Sequence, residues 1–452
     1  MNLSQLKALF EKVGARKLYA KPLAENDNSK NQVYFGPDFQ ALNLFPNAGI
    51  VPDSSPKNPI FKAKLHFGWL AANGAIADAP GAQLILYPQY PEVRFSGFLK
   101  GCVAPPSSLM AGRISGRVLF LAVTGDRRVV GFVVGGGEEI AAEFRSLGLS
   151  APAGVFIELS LPTIPDETDS RTKLLAELHS INRRGWIDSV QLDSDGNRKP
   201  CLAQQCGGFT LEAELGIPKN SIAEPDFLGW EVKQHSVTSF ARADSGSAIT
   251  LMTPEPTGGF YKDRGVEAFI RKFGYPDKND KPDRLNFGGV HRVGKRQLST
   301  GLTMQLMGYD SVKGKITDAS GAIALVNDTG EVAAAWAFSG LLAHWSRKHT
   351  RAVYVPSMRR TEPQWQYAYG SRVRLAQRTD GLRLLKALAC GTVYYDPGIK
   401  LEQASSAKPA VKRRSQFRIA SKSITALYET VEAVEAGRDG RDDASFVQVA
   451  VG

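Results

Sequence analysis

A stretch rich in proline and aspartate, residues 162–166, divides the chain into two parts whose apolar residues follow different patterns. Before it lie many short strand-like runs separated by Gly and Pro, and after it helical and strand-like patterns are mixed. A chain of 452 residues is also too long for most single hydrophobic cores. We therefore expect one domain over residues 1–160, a second over residues 170–437, and a flexible tail at residues 438–452.

The first part is expected to be mainly β. Met1–Gly14 alternates apolar and charged residues at helical spacing, unlike the continuous apolar stretch of a signal peptide. Strand-like runs then follow at Gln32–Phe35, Gln83–Tyr87, Val93–Leu99, Val118–Val123, Val129–Val134 and, just before the division, Val155–Leu161. A helix is expected near Glu138–Leu147. This pattern predicts a small barrel or sandwich closed by a helix.

The second part is expected to be α/β. Asp169 or Ser170 can cap a helix with Leu174, Leu178 and Ile181 on one face. Further helices are predicted at Phe209–Leu215 and Arg378–Leu388, and strands at Trp230–Gln234, Ile249–Met252 and Thr392–Tyr395. The apolar run Val332–Ala343 fits either a helix or a long strand. The order of elements favours a mixed sheet flanked by helices.

The charge of the chain favours a polyanionic partner. It has 56 Lys and Arg against 45 Asp and Glu, a net charge of +11. Such an excess suits nucleic acid or an anionic membrane surface, although a basic protein without such a partner is the plainer explanation. No apolar run approaches the length of a membrane span, so none is expected. The phosphate-loop pattern Gly-x-x-x-x-Gly-Lys-Ser/Thr is absent, which argues against an ATP-driven enzyme.

Cysteine is sparse, with Cys102, Cys201, Cys206 and Cys390. This usage predicts a reducing, cytoplasmic setting. Cys201 and Cys206 could form half of a zinc site, but their spacing is not Cys-x-x-Cys and no matching pair follows. A structural metal is therefore not expected.

The residues that carry chemistry lie between Glu224 and Lys233. Strand side chains alternate, so Glu231 and Lys233 share a face, and Gly229 permits a turn that returns Asp226 towards it. Two carboxylates with one ammonium suit phosphodiester hydrolysis. Oxygen ligands hold Mg²⁺, which acidifies a bound water, and a lysine orients that water and offsets developing charge. The backbone carbonyl of Val232 can supply a further metal ligand.

A plainer explanation of Glu231-x-Lys233 is a solvent-exposed strand face, because such triplets arise by chance. Three features favour the catalytic interpretation. Pro225-Asp226 precedes the triplet at short range, and the residues on its opposite face, Trp230 and Val232, are apolar. A helical segment with Glu212 and Glu214 lies upstream and could deliver another carboxylate.

These residues resemble the PD-(D/E)xK nucleases and, within them, the MvaI/BcnI restriction endonucleases of the MutH-like branch. Leu211–Gly216, Pro225–Phe227 and Leu228–Lys233 carry the resemblance, and the Asp-x4-Glu-x-Lys spacing is similar to that of MvaI. The resemblance extends over residues 175–420. It implies catalytic roles for Asp226, Glu231 and Lys233, an accessory role for Glu212, and Mg²⁺ as cofactor.

Basic residues gather in three clusters that suit contact with double-stranded DNA. Arginine reads guanine through two hydrogen bonds, and both Arg and Lys bind phosphates. The residues that we assign to this role are His291, Arg292, Arg296, Arg372, Arg374, Arg413 and Arg414. His291 and Arg292 lie between glycines, on what we expect to be a loop that enters a groove. For each residue alone, a solvated loop is the plainer explanation.

Two stretches of the first part, Lys30–Tyr34 and Glu92–Lys100, resemble the two arms that grip DNA in effector domains of the EcoRII/UbaLAI type, which are pseudobarrels of the plant B-three kind. The resemblance implies DNA contacts by Lys30, Asn31, Glu92, Arg94 and Lys100. Glu92 would accept from cytosine and Arg94 would donate to guanine. A structural domain with a polar surface, and a sensor of base methylation, stay open as alternatives.

The resemblance implies a type II restriction endonuclease that cuts a short pseudo-palindromic site, CC(A/T)GG by analogy, and acts as a monomer. One alternative keeps the chemistry but changes the biology, to a MutH-like mismatch-repair nicking endonuclease. Another is a DNA-binding protein with an inactive nuclease fold. The intact set of Asp226, Glu231 and Lys233 argues against that last alternative.

Overall fold

The computed structural model describes residues 1–25, 32–53, 55, 58–149, 155–162, 167–203, 205–218, 224–279 and 281–437. The chain forms two compact units. The first combines residues 1–166, 248–350 and 377–429, and the second combines residues 167–247 and 351–376 with the described residues from 430 onward. Residues 170–437 thus contribute to both units, and the proposed division into domains at residues 1–160 and 170–437 stays a prediction. The tail expected at residues 438–452 lies outside the described residues.

The helices are short to moderate in length and are spread along the chain. They are α1 (Leu3–Lys12), α2 (Ala41–Leu44), α3 (Ser107–Ala111), α4 (Glu139–Ser146), α5 (Glu167–Arg183), α6 (Cys206–Glu214), α7 (Phe260–Phe273), α8 (Phe338–Lys348) and α9 (Gly381–Ala389), with 3-10 turns at Phe240–Ser245 and Ser421–Ala426. Each helix expected from the sequence is present, with ends shifted by a few residues. No helix in the described part of the chain is long and apolar enough to cross a membrane.

Most strands are short. Those of the first 166 residues are β1 (Ala15–Pro22), β2 (Gln32–Gly36), β3 (Ile50–Asp53), β4 (Ile60–Lys64), β5 (Phe67–Leu70), β6 (Ile76–Asp78), β7 (Gln83–Tyr87), β8 (Glu92–Ser96), β9 (Val118–Thr124), β10 (Val129–Val134) and β11 (Ile157–Leu159). The next are β12 (Ile187–Asp188), β13 (Val190–Leu192), β14 (Arg198–Pro200), β15 (Glu231–Ser236), β16 (Ile249–Met252), β17 (Tyr275–Pro276), β18 (Arg284–Gly288), β19 (Arg296–Gln297), β20 (Leu302–Met307), β21 (Tyr309–Asp310), β22 (Lys315–Ile316), β23 (Ala322–Val326) and β24 (Val332–Ala337). The last are β25 (Arg351–Arg360), β26 (Gln366–Tyr369), β27 (Arg372–Gln377), β28 (Val393–Tyr395), β29 (Gly398–Glu402), β30 (Ala410–Lys412), β31 (Phe417–Ile419) and β32 (Thr430–Glu435).

Two sheets dominate the beginning of the first unit. Their strand orders are β11-β1-β9-β10-β5-β6 and β2-β8-β7-β4-β3. Helix α1 begins with a capping box between Asn2 and Gln5, and its apolar side, including Leu6 and Phe10, is buried against the first sheet. Helix α4 joins the same core through Phe144. The mainly β character and the helix expected near residue 140 are confirmed.

The rest of the first unit consists of small sheets and three helices. The sheets have the orders β16-β31-β28, β17-β18-β29-β30, β19-β20-β23-β24 and β21-β22. The apolar run Val332–Ala343 is neither one helix nor one strand, because β24 ends at Ala337 and α8 begins at Phe338. Asp380 caps α9 and also accepts a hydrogen bond of 3.2 Å from the backbone N–H of Phe39. This buried contact ties the N-terminal segment to the later part of the same unit.

The second unit is built on one mixed sheet. Its order is β12-β26-β25-β27-β32, and β15 pairs in parallel with β25 from Glu231 opposite Ala352 to Ser236 opposite Ser357. Helix α5 contributes Leu174 and Leu178 to the core, and α6 packs against β15. The fold is therefore mixed α/β, as expected.

Cys201 and Cys206 are joined by a disulfide just before and at the start of α6. Both side chains are buried, and their Cα atoms lie 5.7 Å apart, within the usual range for a disulfide. The pair therefore does not form half of a zinc site. Cys102 and Cys390 are free thiols.

Candidate active site

A tight turn precedes β15. Phe227 and Trp230 exchange two backbone hydrogen bonds, of 2.9 and 2.8 Å. The two residues between them, Leu228 and Gly229, have φ angles of 46° and 84°. Positive φ at both central residues is the geometry of a type I′ turn, whose twist matches that of paired antiparallel strands. The turn expected at Gly229 is therefore present.

This turn sets Asp226 opposite Glu231, the first residue of β15. In a two-residue hairpin, the residues just outside the hydrogen-bonded pair face each other at the shorter Cα separation. The Oδ2 atom of Asp226 also accepts a hydrogen bond of 2.9 Å from the backbone N–H of Val232. The hairpin thus places both carboxylates at one end of β15.

The carbonyl of Val232 faces the same edge of the strand. In a β-strand, the N–H and C=O of one residue point to the same side. The N–H of Val232 points to Asp226, whereas β25 pairs with the other edge of β15. The backbone oxygen of Val232 therefore lies on the edge that carries Asp226.

Glu231 and Lys233 share one face of β15 and form an ion pair. The side chain of Glu231 is 0% exposed and that of Lys233 is 19% exposed. The interpretation of this triplet as a solvent-exposed strand face is therefore wrong. Burial alone lowers the pKa of Lys233, but the charges of Glu231 and Asp226 together outweigh it, so this pKa lies above its ordinary value. Lys233 is consequently a cation at neutral pH.

Strand β25 adds Tyr354 beside the lysine. Lys233 is paired with Tyr354 in the parallel register, and in-register residues of neighbouring strands point to the same face. Tyr354 is buried, and its interaction with Lys233 contributes to the raised pKa of the ammonium group. The sequence pattern gives no sign of Tyr354, because its pairing with β15 is not encoded in either segment alone.

The opposite face of β15 is core, as expected. Trp230 and Val232 are 1% and 5% exposed. The guanidinium of Arg351 lies 5.2 Å from the centre of the Trp230 ring. Because this face of β15 is packed into the core, the opposite face, which carries Glu231 and Lys233, is held in a fixed position.

The oxygen donors of this site fit a hard divalent cation. Mg²⁺ is commonly held by one or two carboxylates together with water and substrate phosphate. Asp226 and Glu231 supply two carboxylates, and Val232 supplies a backbone oxygen. In the part of the chain that the structure describes, no group of three or more His, Cys, Asp or Glu side chains could hold a metal. A cation here would therefore depend on water and substrate oxygens as well.

Glu212 does not form, with Asp226 and Glu231, a group of three carboxylates that could hold a metal. It lies half-buried on α6, and the neighbouring Glu214 forms ion pairs with Arg184 and Arg198. The expected accessory role of Glu212 stays a prediction.

His291, for which we expected a role in DNA contact, is buried in this structure, and that role stays a prediction. The side chain is 0% exposed. Its ring nitrogens lie 2.8 Å from the carbonyl oxygen of Gly289 and 2.9 Å from the hydroxyl of Thr300. Burial lowers the pKa of His291 to about 4. In this structure the imidazole packs inside its own loop through these two contacts.

The neighbouring arginines are engaged within the first unit. The guanidinium of Arg292 lies 4.4 Å from the centre of the Tyr394 ring and donates to the carbonyl of Gly391. Arg296 donates to both carboxylate oxygens of Asp328, at 2.8 to 3.1 Å. The side chain of Arg296 is nevertheless 46% exposed.

The remaining basic candidates differ in accessibility. Arg413 and Arg414 are exposed in the first unit. In the second unit, Arg372 is exposed and Arg374 is half-buried, two positions apart on β27. These four residues are compatible with contact to a polyanion.

In the N-terminal sheet, Arg94 donates to Glu92 at 2.9 Å and lies 5.9 Å from the centre of the Tyr87 ring. Lys100 is exposed. Lys30 and Asn31 lie outside the described residues.

Comparison with known proteins identifies one matching family. The model of the MvaI/BcnI restriction endonuclease family matches residues 175–428. A solved structure of the restriction endonuclease MvaI with its cognate DNA substrate is 16% identical, covers 59% of this chain and 99% of that chain, and gives a TM-score of 0.45. The structure of MvaI without DNA is 14% identical, covers 60% and 100%, and gives a TM-score of 0.33. No curated protein sequence matches the chain. Asp226, Glu231 and Lys233 lie within the matched residues.

Proposed function

The chain belongs to the MvaI/BcnI restriction endonuclease family, and on that premise we propose that it is a type II restriction endonuclease acting on double-stranded DNA. The observation that carries this proposal is the hairpin that sets Asp226 opposite Glu231 and pairs Glu231 with Lys233. Two carboxylates beside one buried ammonium are the groups that metal-assisted phosphodiester hydrolysis requires.

Asp226, Glu231 and the carbonyl of Val232 would hold Mg²⁺. When bound, this cation supplies a Lewis acid that polarises the phosphate and lowers the pKa of a coordinated water. Lys233 would donate hydrogen bonds to the attacking water and to a phosphate oxygen, and its positive charge offsets the negative charge that develops there. Tyr354 would help to hold the lysine in position. The charges of Glu231 and Asp226 raise the pKa of Lys233 above its ordinary value, which favours a role as a hydrogen-bond donor.

We further propose that the second unit is a PD-(D/E)xK core of the MutH-like branch, and that the first 160 residues form a pseudobarrel effector domain of the EcoRII/UbaLAI type. The parallel pair of β15 and β25 in a mixed sheet with α5 and α6 supports the first assignment. The polar pair of Glu92 and Arg94 on β8 supports the second.

Sequence recognition is assigned to the accessible basic residues Arg372, Arg374, Arg413 and Arg414, with Glu92, Arg94 and Lys100 in the effector domain. The proposed target is a short pseudo-palindrome of the CC(A/T)GG type. The proposed working form is a monomer that cuts the two strands in turn.

Incubation of the purified protein with methylation-free plasmid DNA and Mg²⁺, beside a reaction with EDTA, tests this proposal. Discrete bands that require Mg²⁺ are expected, and mapping their ends gives the site. Nicked circles alone would favour the mismatch-repair nicking endonuclease. Retarded but uncut DNA would contradict the nuclease proposal and favour an inactive DNA-binding protein.

A further inference from the structure

Leu228 occupies the tip of the turn beside the two carboxylates in an unfavourable conformation. Its φ of 46° lies in the left-handed region, where the Cβ atom of an L-residue approaches the following carbonyl oxygen. Type I′ turns favour Asn, Asp or Gly at this position, and leucine is a poor choice. Leu228 is also 50% exposed. Both the backbone conformation of Leu228 and the exposure of its apolar side chain to water are therefore energetically unfavourable.

Leu228 differs in this respect from comparable residues elsewhere. The other non-glycine residues with positive φ in the described part of the chain are all polar: Arg127, Asp283, Arg378 and Gln403. Other exposed leucines, such as Leu202 at 73%, have ordinary backbone angles. Exposure of a single leucine needs no explanation, but exposure together with left-handed backbone does. Residues with backbone strain of this kind cluster at active sites and ligand-binding sites.

The turn holds Leu228 firmly next to the proposed chemistry. Two backbone hydrogen bonds close the turn, and Trp230 anchors it in the core. Asp226 precedes Leu228 by two positions along the chain. A phosphate held beside Asp226 and Glu231 has a deoxyribose on each side. The C–H groups of that sugar are an apolar surface that DNA offers beside the phosphate.

We propose that Leu228 is a DNA-contact residue that packs against the deoxyribose beside the scissile phosphate, an inference that rests on the nuclease function proposed above. Packing would remove the exposed leucine surface from water in the complex. It would also set the distance between the sugar-phosphate backbone and the two carboxylates. The contact is independent of sequence, because every nucleotide presents the same sugar.

Four variants separate this role from a purely structural one. Leu228→Asn removes the apolar contact but suits the left-handed turn, so the folded state is expected to gain stability. Leu228→Met keeps an apolar side chain. Leu202→Asn is the matched control, because it makes the same change at an exposed leucine that is not part of the turn. Leu228→Ala also removes the apolar contact, because it shortens the side chain, but it adds no polar group.

The measurements are the melting temperature and kcat/KM on a duplex oligonucleotide that contains a mapped cleavage site. For Leu228→Asn we expect a melting temperature raised by about 1–2 °C. We also expect kcat/KM to fall about 10-fold, which corresponds to about 1.4 kcal/mol of lost transition-state binding. Leu228→Ala should fall similarly and Leu228→Met should fall less than either, whereas Leu202→Asn should cleave like the wild type.

Wild-type cleavage by both Leu228→Asn and Leu228→Ala would overturn the DNA contact while leaving the nuclease proposal intact. A loss of cleavage in Leu202→Asn as large as that in Leu228→Asn would also overturn it, because the effect would then not be specific to the turn. If the wild type itself cuts no DNA with Mg²⁺, the nuclease proposal and the contact fall together.

Discussion

The Asp226 carboxylate accepts a 2.9 Å hydrogen bond from the backbone N–H of Val232, across the turn that separates the two residues. One side chain therefore closes the hairpin and supplies a charge to the candidate site. These two contributions can be separated by substitution, because asparagine keeps a side-chain oxygen that can accept the same hydrogen bond.

We predict that Asp226→Asn folds like the wild type, whereas Asp226→Ala is less stable by about 1 kcal/mol, since it removes the acceptor of the Val232 N–H. Urea unfolding followed by circular dichroism measures this difference. Equal stability of the two variants would show that the hydrogen bond contributes nothing to the hairpin.

The buried pair of Glu231 and Lys233 is expected to be strongly coupled. Either single change, Glu231→Gln or Lys233→Met, leaves a charged group without its partner in a buried site, at a cost of about 3–5 kcal/mol. The double variant should lose much less than the sum of the two single losses. A double-mutant cycle by chemical unfolding measures the coupling.

The control for this cycle is the exposed pair of Arg171 and Glu432, which are 2.8 Å apart in the same unit. Its coupling should be about 0.2–1 kcal/mol, as for surface ion pairs generally. Equal coupling in the two pairs would contradict the burial of Glu231 and Lys233.

A side chain at Gly229 should cost stability, because it would meet the end of the Arg351 side chain. The φ of Gly229 is 84°, and a Cβ atom there would lie 2.6 Å from Nη2 of Arg351, which is itself buried against Trp230. Gly216 has a similar φ of 72° with nothing within 4 Å, so Gly216→Ala measures the backbone strain alone. We expect that strain to cost about 1–2 kcal/mol and Gly229→Ala to cost more. Thermal unfolding distinguishes them, and equal losses would rule out the clash.

His291 makes stability depend on pH. Burial lowers its pKa from 6.5 to about 4, so the unfolded chain binds a proton at this residue before the folded chain does. The stabilisation is complete above pH 6.5 and is lost as the pH falls towards 4. The difference amounts to about 3 kcal/mol over the whole interval.

The free energy of unfolding of the wild type should therefore fall more steeply between pH 7.5 and pH 4.5 than that of His291→Gln, by about 2–3 kcal/mol. Urea titrations at the two pH values test this. Parallel pH profiles in the two proteins would mean that His291 is accessible to protons in the folded state.

Features of the site that depend only on residues close together along the chain can be predicted from the sequence. The alternation of Glu231 and Lys233, the turn at Gly229 and the apolar opposite face follow from strand geometry and glycine chemistry, and each is present. The strand Ile249–Met252 also lies where expected. Helix ends shifted by a few residues, because capping and packing outweigh local propensity.

Features that depend on contacts between residues far apart along the chain cannot be predicted in this way. Tyr354 lies beside Lys233 only through the register of β15 with β25. His291 lies between two glycines in a basic stretch, which favours an exposed loop, yet its imidazole is satisfied by Gly289 and Thr300 inside the unit. The left-handed backbone of Leu228 is equally invisible, since leucine is rare in that conformation.

The most direct test of the central claim compares cleavage by the wild type and by Asp226→Asn on one labelled duplex that contains a mapped site. Binding is first measured in EDTA, and Mg²⁺ then starts a single turnover. We predict equal binding, rapid cutting by the wild type, and a rate at least about 100-fold lower for the variant, because it keeps the hairpin but loses the charge. Cleavage by Asp226→Asn at the wild-type rate would contradict the assignment of this hairpin as the catalytic centre.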